Sequence, residues 1–123
     1  MVIVCGIDGS SRSWEAARAA AALAKLHRDR LTLAYVQEAL VFGLDPLTGA
    51  MPVAMANTQY LEADRARMKV ELEREGARLS KAFGVEVRHV MHTGLPDHEL
   101  LDVVAAEEAE LLVVASLGRR SGT

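Results

Sequence analysis

The chain has 123 residues, half of them apolar and a quarter charged, with a formal net charge of −3. That length fits one packed domain, and this balance favours a folded globular chain over a disordered one. A slightly acidic chain without a basic stripe argues against a nucleic-acid-binding surface. The N-terminus lacks a basic, small-residue secretory leader, and no apolar run nears the ~20 residues that span a bilayer. The expectation is one soluble cytoplasmic domain over residues 1–123 with no membrane partner.

Val2 to Ile7 reads as a buried strand, and its single cysteine, Cys5, as a small inert side chain because nothing cationic flanks it. The strand delivers Asp8-Gly9-Ser10-Ser11. The spacing then predicts a helix from Ser13 to His27, capped by Ser10 or Ser11, with Trp14, Ala17, Ala21, Leu23, Ala24 and Leu26 facing the core. Leu31 to Val36 is short and apolar, so it reads as a second buried strand, parallel to the first through a right-handed crossover.

Between Ala39 and Asn57 periodicity fails and glycine and proline punctuate an apolar stretch. Two readings stay open for it: a variable insertion, or a flap over a site or a neighbouring subunit. From Thr58 to Phe83 an amphipathic helix carries Leu61, Met68, Leu72, Leu79 and Phe83 on one stripe. Its charges, such as Glu71 with Arg74 and Glu75 with Arg78, form a solvated face. Gly84 ends that helix. Val85 to Met91 alternates as an edge strand does, Thr93-Gly94-Leu95-Pro96 turns, and a helix over Asp97 to Glu108 buries Leu100, Leu101, Val104 and Ala105. Leu111 to Ala115 is the last strand. Alternating strands and helices of this kind make a doubly wound parallel α/β sheet. The apolar fourth strand would be an open edge, which implies a lost fifth strand or a partner.

Two stretches carry candidate chemistry. Asp8, at a strand end beside a helix start, can accept from ribose hydroxyls or an adenine edge, with Gly9 allowing close approach; equally, Asp8 and Ser10 can simply cap the helix. The segment Ser116 to Thr123 can form an anion nest assisted by Arg119 and Arg120, or can be a plain terminus. Neither a Walker A sequence nor a three-glycine dinucleotide fingerprint occurs. His92 and His98 could converge across Gly94, but no metal-ligand spacing or nucleophile–base pair can be argued.

The run Gly6-Ile7-Asp8-Gly9-Ser10, the strand end Ala34-Tyr35-Val36, the turn Thr93-Gly94-Leu95-Pro96 and the exit Val113-Val114-Ala115-Ser116-Leu117-Gly118 together resemble the universal stress protein family. The resemblance implies strand order 3-2-1-4, with the family's fifth strand missing and the domain short at its C-terminus. It implies an adenine-nucleotide-binding regulatory or stress-response domain, with ATP, with or without Mg²⁺, as ligand. At most it implies slow ATP hydrolysis, and it points to a homodimer or pairing with a related domain. It places Ile7, Asp8, Gly9, Ser10, Val36, Val114, Ala115, Ser116 and Gly118 at the nucleotide. Ala115 stands where ATP-binding members carry the first glycine of a Gly-x-x-Gly exit. That departure keeps a rival open, a dimerisation or partner-docking module of the same fold that binds no nucleotide. An ATP-activating enzyme on a similar sheet would need a second substrate site that the sequence does not reveal.

Overall fold

The computed structural model describes residues 1–38 and 58–115. The segment 39–57, including its proposed role as flap or insertion, and the exit from Ser116 onward lie outside them. The described elements alternate as β1 (Val2–Ile7), α1 (Ser11–His27), β2 (Arg30–Glu38), α2 (Thr58–Phe83), β3 (Val87–Gly94), α3 (Pro96–Glu107) and β4 (Leu111–Val113). All strand pairs are parallel, in the order β3-β2-β1-β4. The doubly wound sheet read from the sequence is therefore the fold.

β1 is the axis of the sheet. It pairs along its whole length with β2, Val2 opposite Arg30 through Ile7 opposite Tyr35, and along Ile3 to Cys5 with β4. Strands buried on both faces need apolar side chains throughout, and Val2, Ile3, Val4, Cys5 and Ile7 supply them. The two faces differ. Ile3, Cys5 and Ile7 join Leu31, Leu33 and Tyr35 under α1 and α2, in a core completed by Met68, Leu72 and Leu79. Val2, Val4 and Ala34 form a smaller cluster under α3, through Val103 with Leu100 and Val104. Burial also pushes the Cys5 thiol up to about 12, so it stays a protonated packing group.

α1 docks through alanines. Ala17, Ala20, Ala21 and Ala24 are fully buried, whereas Leu23 and Leu26, expected in the core, are 36% and 76% exposed. The alanine stripe is the one that lets the helix lie close to the sheet, and Leu23 and Leu26 project from its flanks. α1 starts two residues before the predicted Ser13 because Ser10 is the cap: its Oγ accepts from the Ser13 amide at 3.2 Å. In α3 Val103 is buried, with Leu100 and Val104 partly buried beside it; Leu101 is 62% exposed and Ala105 is exposed, contrary to the sequence reading. Residues one position from the stripe turn ~100° away from it. β3 runs Val87–Gly94 rather than from Val85, and it is the expected edge strand. β4 is shorter than read, ending at Val113.

At the amino ends of the strands, α3 is tied down by a polar contact. Thr32, buried at a position between Leu31 and Leu33, donates to Glu107 Oε1 at 2.8 Å, and Arg88 pairs with the other oxygen at 3.1 Å. A buried hydroxyl needs such a partner. Among the described residues no helix is long and apolar enough to cross a membrane.

Leu72, fully buried where α2 meets the sheet, gives a direct check on this packing. Leu72→Ala is expected to lower unfolding free energy by about 2–5 kcal/mol, the usual cost of a core Leu→Ala change, as read from urea denaturation midpoints. A loss below about 1 kcal/mol would contradict the two-helix core, since it matches an ordinary surface substitution.

Candidate functional site

Two small residues open a cleft at the carboxyl ends of the strands. Gly6 and Ala34 are register partners on neighbouring strands and point to the α3 face, where larger side chains would reach the helix. A Cβ added at Gly6 would lie 3.1 Å from Leu100 and 3.2 Å from Val114, tighter than ordinary contact. A glycine inside a strand marks such a close approach. Above this floor lies a cleft of about 470 Å³, walled by the ends of β1 and β2, the first turn of α3 and the exit from β4. Its position, outside the carboxyl ends of strands beside a strand-order reversal at β1, is where open α/β sheets take ligands.

Of the residues expected at the site, Ile7, Asp8, Val36, Val114 and Ala115 all line this cleft. Gly9 and Ser10 form the turn next to it rather than its wall, and Ser116 and Gly118 lie outside the described residues. Gly9 has φ +88°, a conformation that costs a side-chain-bearing residue roughly 1–2 kcal/mol. Asp8 accepts the Ser10 amide at 2.8 Å, so the two readings of the turn converge: the aspartate shapes the helix entry and still borders the cleft. Burial draws its carboxyl upward, but hydrogen bonds from Ser10, then Ser13, outweigh that, and the group sits below the ordinary aspartate range. Asp8 is ionised at neutral pH.

Sequence reasoning missed Glu38, Pro96, Asp97 and Leu100, which also line the cleft. The signals are weak: the apolar run that marks the second strand stops at Val36, two residues short of Glu38, and Asp97 enters the sequence pattern only as the first residue of a helix. His92 pairs with Glu99, its Nδ1 lying 2.8 Å from Glu99 Oε1. Among the described residues no three His, Cys, Asp or Glu side chains cluster as a metal site would require.

The family model of the Universal stress protein family matches residues 1–123. The chain belongs to that family. A comparison with curated proteins finds no match. Solved structures of universal stress proteins share the fold. The protein UspA from Lactobacillus plantarum aligns at a TM-score of 0.80 with 18% identity, covering 98% of this chain and 82% of its own. A family member from Burkholderia pseudomallei gives 0.71 at 24% identity, covering 94% and 80%. A universal stress protein in complex with cAMP gives 0.67 at 23% identity, covering 100% and 85%.

In this universal stress protein the opposite face of β2 carries a polar network that draws in acids of α2, whose charged face the sequence reading assigned to solvent. Tyr35 donates to Asp64 Oδ2 at 2.5 Å, and Gln37 Nε2 donates to the same oxygen at 3.0 Å and to the Leu61 carbonyl at 2.8 Å. Arg67 holds the other carboxylate oxygen. Trp14 likewise donates to Glu71 at 2.9 Å, and Arg74 lies nearest Glu75 rather than Glu71. The α2 carboxylates Asp64 and Glu71 are thus structural acceptors. Asp64 fixes the first turns of α2 to the end of β2, and Glu71 ties the same helix to α1.

Burial raises the Asp64 carboxyl, but bonds from Tyr35, Arg67 and Gln37 bring it below its ordinary value. A depressed carboxylate adds stability above the unfolded aspartate range and loses it as pH falls through the folded value. Asp64→Asn should therefore flatten the acid limb of a melting-temperature profile below about pH 4, the ordinary aspartate range. Tyr35→Phe, which leaves Asp64 short of a donor, should cost about 1–3 kcal/mol at neutral pH. An unaltered acid limb in Asp64→Asn would show the carboxylate to be solvated.

Proposed function

We propose that this domain binds an adenine nucleotide, ATP in the first instance, as a regulatory or stress-response module, with at most slow hydrolysis. The observation that carries the reading is the convergence of Ile7, Asp8, Val36, Val114 and Ala115 on one cleft floored by Gly6 and Ala34. Apolar Val36 and Val114 suit the faces of a base, Ile7 borders the cleft at the end of β1 while its side chain packs in the α1–α2 core, and an ionised, acceptor-only Asp8 suits sugar hydroxyls. Phosphates would run toward the chain after β4, where the sequence carries Ser116, Gly118, Arg119 and Arg120. The complex of a family relative with cAMP supports an adenine ligand of this general kind.

The open edge of β4 supports a second element of the proposal, a homodimer or pairing with a related domain. Leu111 and Val114 are 42% and 54% exposed beside a strand whose only described neighbour is β1, and such edges template association. A docking module without nucleotide remains the rival function, favoured by the alanine at position 115. Light scattering across concentration tests the association, and a strictly monomeric chain removes it. A cytoplasmic location goes with this reading.

Isothermal titration of the chain with ATP and magnesium tests the nucleotide. Binding is expected, and Asp8→Ala should weaken it about tenfold, a typical loss for one charged hydrogen-bond partner. Gly6→Val, which fills the floor, should abolish it while circular dichroism reports a folded chain. No binding of ATP or cAMP at millimolar ligand, or full affinity in Gly6→Val, would overturn the reading in favour of the docking module.

A further inference from the structure

The cleft is apolar at its floor and acidic at its rim. Asp8 at the end of β1, Glu38 at the end of β2 and Asp97 in the first turn of α3 all line it, and no lysine or arginine does among the described residues. They come from three separate elements, so the negative charge at the rim is not the property of one segment. Resting on the nucleotide reading above, we propose that Glu38 and Asp97 are charge-selecting residues. They favour adenine ligands of low charge, a nucleoside or a cyclic mononucleotide, and admit a triphosphate only as its magnesium complex.

The physical basis is repulsion in a partly desolvated space. A carboxylate roughly 8 Å from one phosphate charge, at an effective dielectric near 40, weakens binding about fivefold. Several carboxylates near a fully ionised triphosphate multiply that effect, and Arg119 and Arg120 on the proposed phosphate path, together with salt, take part of it back, since the screening length is ~10 Å at 0.1 M. A loss of at least about tenfold survives for metal-free ATP relative to adenosine. Adenosine carries no such charge and keeps the base and ribose contacts. Magnesium bound to the triphosphate would cancel much of its charge and so restore entry.

Among the described residues neither Glu38 nor Asp97 is held by a side-chain hydrogen bond or ion pair. Glu38 is exposed at the last position of β2. Asp97 is exposed in a helix whose N-cap, Leu95, makes no side-chain cap bond. The acidic first turn does favour the α3 dipole, which explains one acid there but not the matching Glu38 across the cleft.

Competition titration with a fluorescent adenosine probe, on the full chain in EDTA and again in magnesium, separates the outcomes. In EDTA the dissociation constant of ATP should exceed that of adenosine at least about tenfold at low salt, shrinking as ionic strength rises. Magnesium should close most of the gap. In the double variant Glu38→Gln with Asp97→Asn, the EDTA ratio of ATP to adenosine should fall toward one, and probe binding itself reports that the variant is folded. Equal affinities of metal-free ATP and adenosine in the wild type would overturn the proposal, as would an unchanged ratio in the double variant. Both outcomes leave nucleotide binding intact. Failure of adenosine, cAMP and magnesium-ATP alike would remove the nucleotide reading and this inference with it.

Discussion

The double pairing of β1 sets everything else in this molecule. A strand hydrogen-bonded on both sides and buried on both faces forces helices onto each face, and parallel pairing forces every connection to cross over. All strands consequently end at the same edge. β2 and β4 leave β1 toward opposite sides there, so the chain parts and a crevice results. The strand order and the position of the cleft are one fact seen twice.

Side-chain volume on one face then decides how deep that crevice is. Two helices cover the face of Ile3, Cys5 and Ile7, and large residues fill it. The face under α3 has Gly6 beside Ala34 toward its carboxyl end, and Leu100 and Val114 come within contact of where a Cβ at Gly6 would lie. The same small residues that open the floor also let the helix approach. Polar anchors hold the arrangement at both ends: Thr32 with Glu107 at the amino side, Tyr35 and Gln37 with Asp64 at the carboxyl side. Each satisfies a buried donor, and each links a strand to a helix distant in sequence.

The elements themselves were largely legible. Apolar runs gave β1, β2 and β4, alternation gave β3, and helical spacing gave α2 with its observed ends, Thr58 and Phe83. Five of the nine expected site residues converge on the cleft, because a strand-end motif carries its position with it. The readings that failed were about which way a side chain faces. Leu23, Leu26 and Leu101 are hydrophobic enough for a core, yet the buried stripes run through smaller neighbours, Ala17, Ala24 and Val103. Asp64 and Glu71 fit a solvated helix face by pattern, and become acceptors only because Tyr35 and Trp14 arrive from other elements.

Sequence alone determined the alternation of strands and helices, the acidic turn after β1 and the family, since periodicity, turn chemistry and short motifs are local properties of the chain. Tertiary structure decided the acidic rim. Asp8, Glu38 and Asp97 lie far apart along the chain and border one volume only because parallel register brings β1 and β2 to a common end, where α3 begins. Local rules have no term for that meeting. Charges on separate elements acquire a common field only after the backbone has placed them around the same space.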